Sequence, residues 1–309
     1  MSSVSLWFFV SVMNLVARSV SRRVWDRLQA GPAPAQVLAV FEHACDLVTS
    51  DEDVIGLVLP AVGEGPLNVV VEGGPGLFGG LQAGMAAQLA PSAIVVGRLR
   101  VDVAAARVWD PRPDWEALRA RRAAMGAYLP AVRDLALRRT TEESLLTLLA
   151  DPSITGSDRH DAVLARAREG MDLLRRGWEG DLGALQEGAA RLAGLGGGLT
   201  PGGDDFLTGL MLWAWLAHPD PPTFCQAVAE AAVPRTTLLS AAFLRVAAAG
   251  ECSVAWHRLL AALAGEDETA ISLAVEGVLS HGATSGADAL AGFLSGCFHR
   301  SGTAGAEIL

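Results

Sequence analysis

Two consecutive aspartates that follow a run of glycines, Gly202-Gly203-Asp204-Asp205, are the residues of this sequence best suited to chemistry. They belong to the stretch Gly194-Leu195-Gly196-Gly197-Gly198-Leu199-Thr200-Pro201-Gly202-Gly203-Asp204-Asp205-Phe206, which leads into an apolar helical run. Thr200 is expected to cap that helix and Pro201 to take its first position. Gly198, Gly202 and Gly203 would then let backbone N–H groups come close to a ligand, as in anion sites at helix starts. One aspartate would be enough to complement the helix dipole, at about 0.3–1 kcal/mol. Two neighbours diverge by about 100° around a helix, so different roles are expected of them. Asp204, directly after the glycines, is expected to face the ligand and to carry the greater catalytic load. Asp205 is expected to turn toward a neighbouring helix start, that of Thr236 and Thr237.

Two further segments place hydroxyls and charge just ahead of an apolar helix. Pro234-Arg235-Thr236-Thr237, followed by Ser240, combines a planar cationic fork with a helix N-terminus, which suits a carboxylate or a phosphate. His281-Gly282-Ala283-Thr284-Ser285-Gly286-Ala287-Asp288 has Ser285 and Asp288 at capping-box spacing, and Gly292 and Gly296 beyond them suit a close helix crossing. Each segment alone makes a poor anion site. The three are therefore expected to converge on one ligand, with Asp204, Asp205 and Arg235 as candidate catalytic groups. Gly198, Thr200, Gly202, Gly203, Thr236, Thr237, Ser240, Thr284, Ser285, Gly286 and Asp288 are the candidate binding residues.

The elements that must hold these segments fall into two textures. Short runs rich in valine and isoleucine, bounded by glycine and proline, occupy the region from Val37 to Asp110 and predict strands over Val54–Leu59, Leu67–Val71, Ile94–Val96, Arg98–Val103 and Arg107–Trp109. After Asp114 the composition shifts to alanine, leucine, arginine and glutamate at helical spacing. Helices are predicted over Trp115–Tyr128, Thr141–Ala150, Asp158–Arg176, Leu182–Leu192, Asp204–Ala217, Pro222–Ala232, Thr237–Ala249, Val254–Ala264, Glu268–Leu279 and Gly286–Phe298, with Thr140 and Glu143 as one start signal. The expected fold class is α+β, with a small β-rich N-terminal domain over residues 1–112 and a larger all-helical domain over residues 113–309.

Composition narrows the chemistry. The 309 residues carry a net charge of −10, and every one of the 24 basic residues is arginine, which excludes a lysine Schiff base and a P-loop lysine. The scattered arginines form no basic stripe for nucleic acid. Cys45, Cys225, Cys252 and Cys297 and the six histidines are dispersed, with no zinc-ligand spacing, and the cysteines read as small buried residues in a reducing cytosol. The apolar N-terminal stretch lacks a basic segment ahead of it and is interrupted by Ser11 and Asn14, so it does not read as a secretory signal; Met13 is an alternative start. Elsewhere the longest apolar run, Leu210–Ala217, is far shorter than the roughly 20 residues of a bilayer span, and no membrane association is expected.

In order and wording the three segments resemble the AllH family, the oxamate carbamoyltransferase subunit, over most of the chain after residue 35. The most specific part is G-L-T-P-x-G-D-D-F-L-x-G, present as Gly198 to Gly209, and Arg235-Thr236-Thr237 with Ser240 is a second mark. The third mark departs from the family pattern, since Ala283 stands where histidine is common; neighbouring His281 is the available substitute. The resemblance implies a cytoplasmic subunit in allantoin and purine catabolism. It would act with an FdrA-like subunit and a second carbamoyltransferase subunit, interconverting oxalurate plus phosphate and oxamate plus carbamoyl phosphate.

For that reaction Arg235 and the helix N-termini would hold the anionic reactants, and N–H groups around Gly202 and Gly203 the oxyanion. Asp204 or Asp205 would manage protons or orient the carbamoyl amino group. No cofactor is implied, although Mg²⁺ at the Asp204/Asp205 pair is chemically reasonable. Two other readings stay open. Thr200 to Phe206 also resembles the ribokinase-type T-G-A-G-D-x-F, a small-molecule kinase signature, although no strand–helix alternation precedes it. The chain could instead be a non-catalytic scaffold whose partner holds the active site.

Overall fold

The computed structural model of the chain describes residues 12–140, 143–150 and 158–297, with side chains of the last segment from residue 162 onward. The chain divides into two compact units, with the boundary between Pro111 and Arg112.

The first unit is a strand barrel. Its strands are β1 (Met13–Ser21), β2 (Ala33–Val40), β3 (Ala44–Thr49), β4 (Val54–Val58), β5 (Asn68–Val71), β6 (Ala86–Ala90), β7 (Ala93–Val96), β8 (Leu99–Asp102) and β9 (Arg107–Trp109), with helix α1 (Arg22–Gln29) after β1. The sheet runs in the order β5-β4-β3-β2-β6-β7-β8-β1-β9, and β1 also pairs with β5, so the sheet closes on itself. On one side β1 runs parallel to β8 through Met13–Val16 and then to β9 through Ser19–Ser21; on the other it is antiparallel to β5. Closure removes the edge strands that would otherwise invite pairing with other chains. Leu28, Cys45, Leu47, Leu57, Val69, Val71, Leu89, Ile94, Val96 and Val101 fill the interior.

The five predicted strands are present as β4, β5, β7, β8 and β9, whereas β1, β2, β3 and β6 were not legible. The apolar stretch around Leu15 is half of the closing strand. Its alternate residues Ser19 and Ser21 are buried hydroxyls, with Ser21 Oγ donating to the Pro66 carbonyl at 2.6 Å. Serines at buried positions hide the period-2 signal that valine would have given.

The second unit is helical: α2 (Trp115–Ala120), α3 (Arg122–Gly126), α4 (Leu129–Arg139), a 3₁₀ turn (Leu145–Leu149), α5 (Asp158–Trp178), α6 (Leu182–Leu192), α7 (Gly202–Ala217), α8 (Pro221–Ala232), a short 3₁₀ turn (Val233–Arg235), α9 (Leu238–Ala248), α10 (Val254–Gly265), α11 (Glu268–Leu279) and α12 (Ser285–Cys297). The protein is thus α+β, strands first and helices second. The helix predicted over Trp115–Tyr128 is broken at Arg121, whose φ/ψ of −98°/0° leave the helical region, and a further helix starts at Leu129 with Pro130 in its first turn. Around Thr141–Ala150 the described residues form the 3₁₀ turn, capped by Ser144 rather than Thr140, and residues 141–142 lie outside the described residues.

Helix α7 is the central element of this unit, and its contact with α12 is nearly backbone to backbone. A Cβ on Gly209 would stand 1.7 Å from the Ala289 carbonyl oxygen, and one on Gly292 1.8 Å from that of Phe206. Gly296 faces the Trp213 ring in the same way, so the expected close crossing is present. At the other end Arg119 donates to the Trp215 and His218 carbonyls at 2.7 and 2.6 Å, and Arg122 to the Ala217 carbonyl at 3.2 Å. These cations satisfy the last carbonyls of α7 and oppose the negative end of its dipole.

Candidate functional site

The close α7–α12 crossing brings the first turns of the two helices together, and both start with polar residues. Pro201, extended at φ −54° and ψ 140°, is the N-cap residue of α7, so Gly202 and Gly203 form the first turn and Thr200 is outside the helix. The Thr200 hydroxyl, expected to be the cap, lies 3.0 Å from the Ser285 hydroxyl at the start of α12. A Cβ on Gly202 would stand 2.8 Å from an Asp288 carboxylate oxygen. Any larger residue there would have to displace the Asp288 carboxylate.

The loop between α6 and α7 takes its shape from glycines at positive φ: Gly194 at +69°, Gly196 at +115° and Gly198 at +87°. Gly194 also lies against the backbone of Arg235, where a Cβ would be 2.8 Å from the carbonyl oxygen. The same residue donates its N–H to Asp204 Oδ1 at 3.0 Å, and the Thr236 hydroxyl donates to Asp204 Oδ2. Thr237 caps α9 by accepting the Ser240 N–H at 3.1 Å, and its hydroxyl donates to the Leu199 carbonyl at 2.6 Å. The three segments are therefore joined by direct hydrogen bonds: the glycine loop to Thr236 and Thr237 through Asp204 and Leu199, and to Ser285 through Thr200.

The two aspartates do differ, and it is Asp204 rather than Asp205 that turns toward the Thr236 segment. Asp204, only 2% exposed, is the one tied to Thr236; Ser240 is a further hydrogen-bond partner. Burial raises its carboxyl, opposed by the bonds from Thr236, Gly194 and Ser240. Asp205 points to the other side, toward α12, where Ser285 is its hydrogen-bond partner and Asp288 and Asp204 are its charged neighbours. Its Oδ2 is buried without a hydrogen-bond partner among the described residues. Burial first, and the two neighbouring carboxylates in addition, hold the Asp205 carboxyl well above the usual range.

Asp288, also 2% exposed, reaches beyond its own helix. Its Oδ1 accepts the Ser144 hydroxyl at 2.8 Å and the Leu145 N–H at 2.6 Å, anchoring the 3₁₀ turn. Ser144 is the structural partner that the sequence reading missed.

The remaining candidates support the cluster through their backbone. Gly203 is buried, with its N–H donated to the Leu195 carbonyl at 2.8 Å, while the N–H groups of Asp204 and Asp205 go to the Pro201 carbonyl at 2.9 and 3.3 Å. The expected oxyanion donor at Gly203 is thus committed to the fold. The Thr284 carbonyl accepts the Asp288 N–H at 2.8 Å, and Gly286 has no room for a Cβ, which would stand 2.0 Å from the Val278 carbonyl. Arg235 is exposed and its guanidinium donates to the Ala231 carbonyl at 2.7 Å, at the end of α8. His281 Nδ1 lies 3.1 Å from the Gly277 carbonyl within its own helix end.

The four cysteines are all buried or half-buried. Burial, with a smaller contribution from Asp46, pushes the Cys45 thiol up to about 12, and burial raises Cys225, Cys252 and Cys297 as well. Such thiols are poor nucleophiles. No group of three or more His, Cys, Asp or Glu among the described residues is arranged to hold a metal ion. No helix among them is long and apolar enough to cross a membrane.

Fold and cluster together define a two-unit α+β protein, with a barrel first and an acidic, hydroxyl-rich junction of helix starts in the second unit. Residues 16–108 match the AllH family N-terminal domain, and residues 192–297 match oxamate carbamoyltransferase subunit AllH. The chain belongs to the AllH family. No solved structure matches it significantly.

Proposed function

We propose that the chain is a subunit of an oxamate carbamoyltransferase that interconverts oxalurate plus phosphate and oxamate plus carbamoyl phosphate, and that the helix-start junction is its substrate site. One observation carries the placement: three separated segments, all within the stretch matching the subunit family, meet through direct hydrogen bonds at the starts of α7, α9 and α12. In the reaction a phosphate oxygen attacks the carbamoyl carbon of oxalurate, the bond from that carbon to the oxamate nitrogen breaks, and the proton of hydrogen phosphate ends on that nitrogen. The protein must orient the carbamoyl group and stabilise charge growing on its oxygen. Hydroxyls and carboxyls at the junction suit the first task. The anionic ends of the reactants are left to exposed Arg235 and to the partner subunits, one FdrA-like and one a second carbamoyltransferase subunit.

The kinase reading loses support from the context of the motif. Helix α7 follows another helix, α6, rather than a strand of a parallel sheet. The test is to co-purify the chain with the products of neighbouring genes and to assay carbamoyl phosphate from oxalurate and phosphate. Phosphate-dependent formation of carbamoyl phosphate is expected. Turnover that survives both Asp205→Ala and Thr200→Ala unchanged would instead make this chain a scaffold.

A further inference from the structure

Three carboxyl groups meet at the junction, and hydrogen bonds hold two of them in place. Asp204 takes bonds from Gly194, Thr236 and Ser240, and Asp288 takes bonds from Ser144 and Leu145. The N–H groups of Gly203, Asp204 and Asp205 are spent within the fold. What remains is Asp205 Oδ2, buried and unpartnered. A buried polar atom left without a partner costs free energy, and where hydrogen bonds hold its neighbours in place, the open atom marks where a ligand group belongs.

We propose that Asp205 is the residue that grips the carbamoyl group, and that it does so as a neutral carboxylic acid. Such an acid offers one O–H donor and one C=O acceptor, the complement of the N–H and C=O edge of a primary amide. Oxalurate and carbamoyl phosphate both carry that edge on the carbamoyl group that is transferred, an amino group beside a carbonyl. The O–H then points at the carbamoyl oxygen, where negative charge grows when phosphate attacks, and supplies the donor that Gly203 cannot. The surroundings favour this protonation state: burial and the neighbouring Asp288 and Asp204 all disfavour the carboxylate. An apolar or acid-rich site that keeps a carboxylic acid neutral so that it can donate is a known catalytic device. The acid-rich junction also disfavours a phosphate or a free carboxylate at the same spot, so it reads the uncharged end of the substrate.

This inference rests on the carbamoyltransferase reading, and its test separates the two. Binding of carbamoyl phosphate and of acetyl phosphate, which has a methyl in place of the amino group, is measured calorimetrically on the assembled complex with wild-type chain and with the Asp205→Asn and Asp205→Ala variants. Wild type should prefer carbamoyl phosphate by about tenfold or more, because the acceptor of Asp205 would face a methyl in acetyl phosphate. Asp205→Asn keeps one donor and one acceptor in nearly the same shape and should hold carbamoyl phosphate within about threefold. Asp205→Ala should weaken carbamoyl phosphate by about tenfold or more and erase the preference over acetyl phosphate. Loss in Asp205→Asn as severe as in Asp205→Ala would show that the carboxylate is what binds and overturns the proposal. Wild-type binding that neither variant changes overturns it too, leaving the carbamoyltransferase reading intact. No binding of carbamoyl phosphate by the wild-type complex overturns that reading, and the assignment falls with it.

Discussion

In the barrel the carboxyl of Asp46 on β3 sits beside Gly56 of the adjoining β4, and burial alone pushes it up to about 7. In the helical unit Asp204, Asp205 and Asp288 meet at helix starts amid hydroxyls and N–H groups, and among the described residues there Asp205 Oδ2 is the buried carboxyl oxygen without a partner. Both regions bury acid, but only one surrounds it with an organised set of donors. An isolated buried carboxyl reports the cost of burial. A network that satisfies two members and leaves the third open reports a site, because the satisfied members fix the position of the open one.

The two units also differ in their tolerance of volume, and the largest effect should appear there. Gly292→Ala forces a Cβ into the Phe206 carbonyl at the α7–α12 crossing and is expected to cost about 3 kcal/mol or more in denaturant unfolding. Gly74→Ala in the first unit meets nothing within 4 Å and should leave the unfolding midpoint unchanged. Equal effects of the two would remove the basis for treating the crossing as the element that positions the site.

Asp204 is the next test. Asp204→Asn puts an amide nitrogen where an oxygen accepts a hydrogen bond from Gly194 or Thr236, so about 2 kcal/mol of stability should be lost. Thermal melts that show no change, together with a large fall in turnover, would return Asp204 to a catalytic role.

Asp46 should show the opposite sign. Its folded value lies above its unfolded one, so it favours the fold fully below the ordinary carboxylate range, and that contribution is lost as pH rises through about 7. The rise from the ordinary carboxylate range to about 7 corresponds to about 4 kcal/mol at full burial. Partial access to water lowers the expected gain from Asp46→Asn to about 2 kcal/mol at pH 8, shrinking as the pH falls toward 4. Urea titrations at several pH values decide this, and a gain independent of pH would contradict it. The smallest effect belongs to Thr237→Ala, which removes the cap on α9 and should cost about 1 kcal/mol in thermal unfolding.

Much of this contrast was legible in the sequence. Helices α6 and α11 have the predicted bounds, because Asp181 and Asp267 mark their starts by capping and a glycine at positive φ, Gly194 or Gly282, follows each. The glycine loop, the Thr-Thr pair and the Ser285 segment were recognisable from their composition, and their meeting follows from the glycines of α7 and α12. Which of the two aspartates turns toward Thr236 was not legible. Sequence fixes the angle of about 100° between them on a helix, but not which neighbouring element lies on which side. Ser144 was hidden for a similar reason, since its bond to Asp288 spans 144 residues. Strand β1 was obscured by serines at buried positions, where hydrogen bonds rather than hydrophobicity settle the burial.

The most direct measurement of the central claim is a structure of the assembled complex with oxalurate bound. The account predicts the carbamoyl group of oxalurate at the junction of α7 and α12, within hydrogen-bond distance, roughly 3 Å, of Asp205 Oδ2. Oxalurate held wholly by another subunit, with Asp205 Oδ2 still unpartnered, would contradict it.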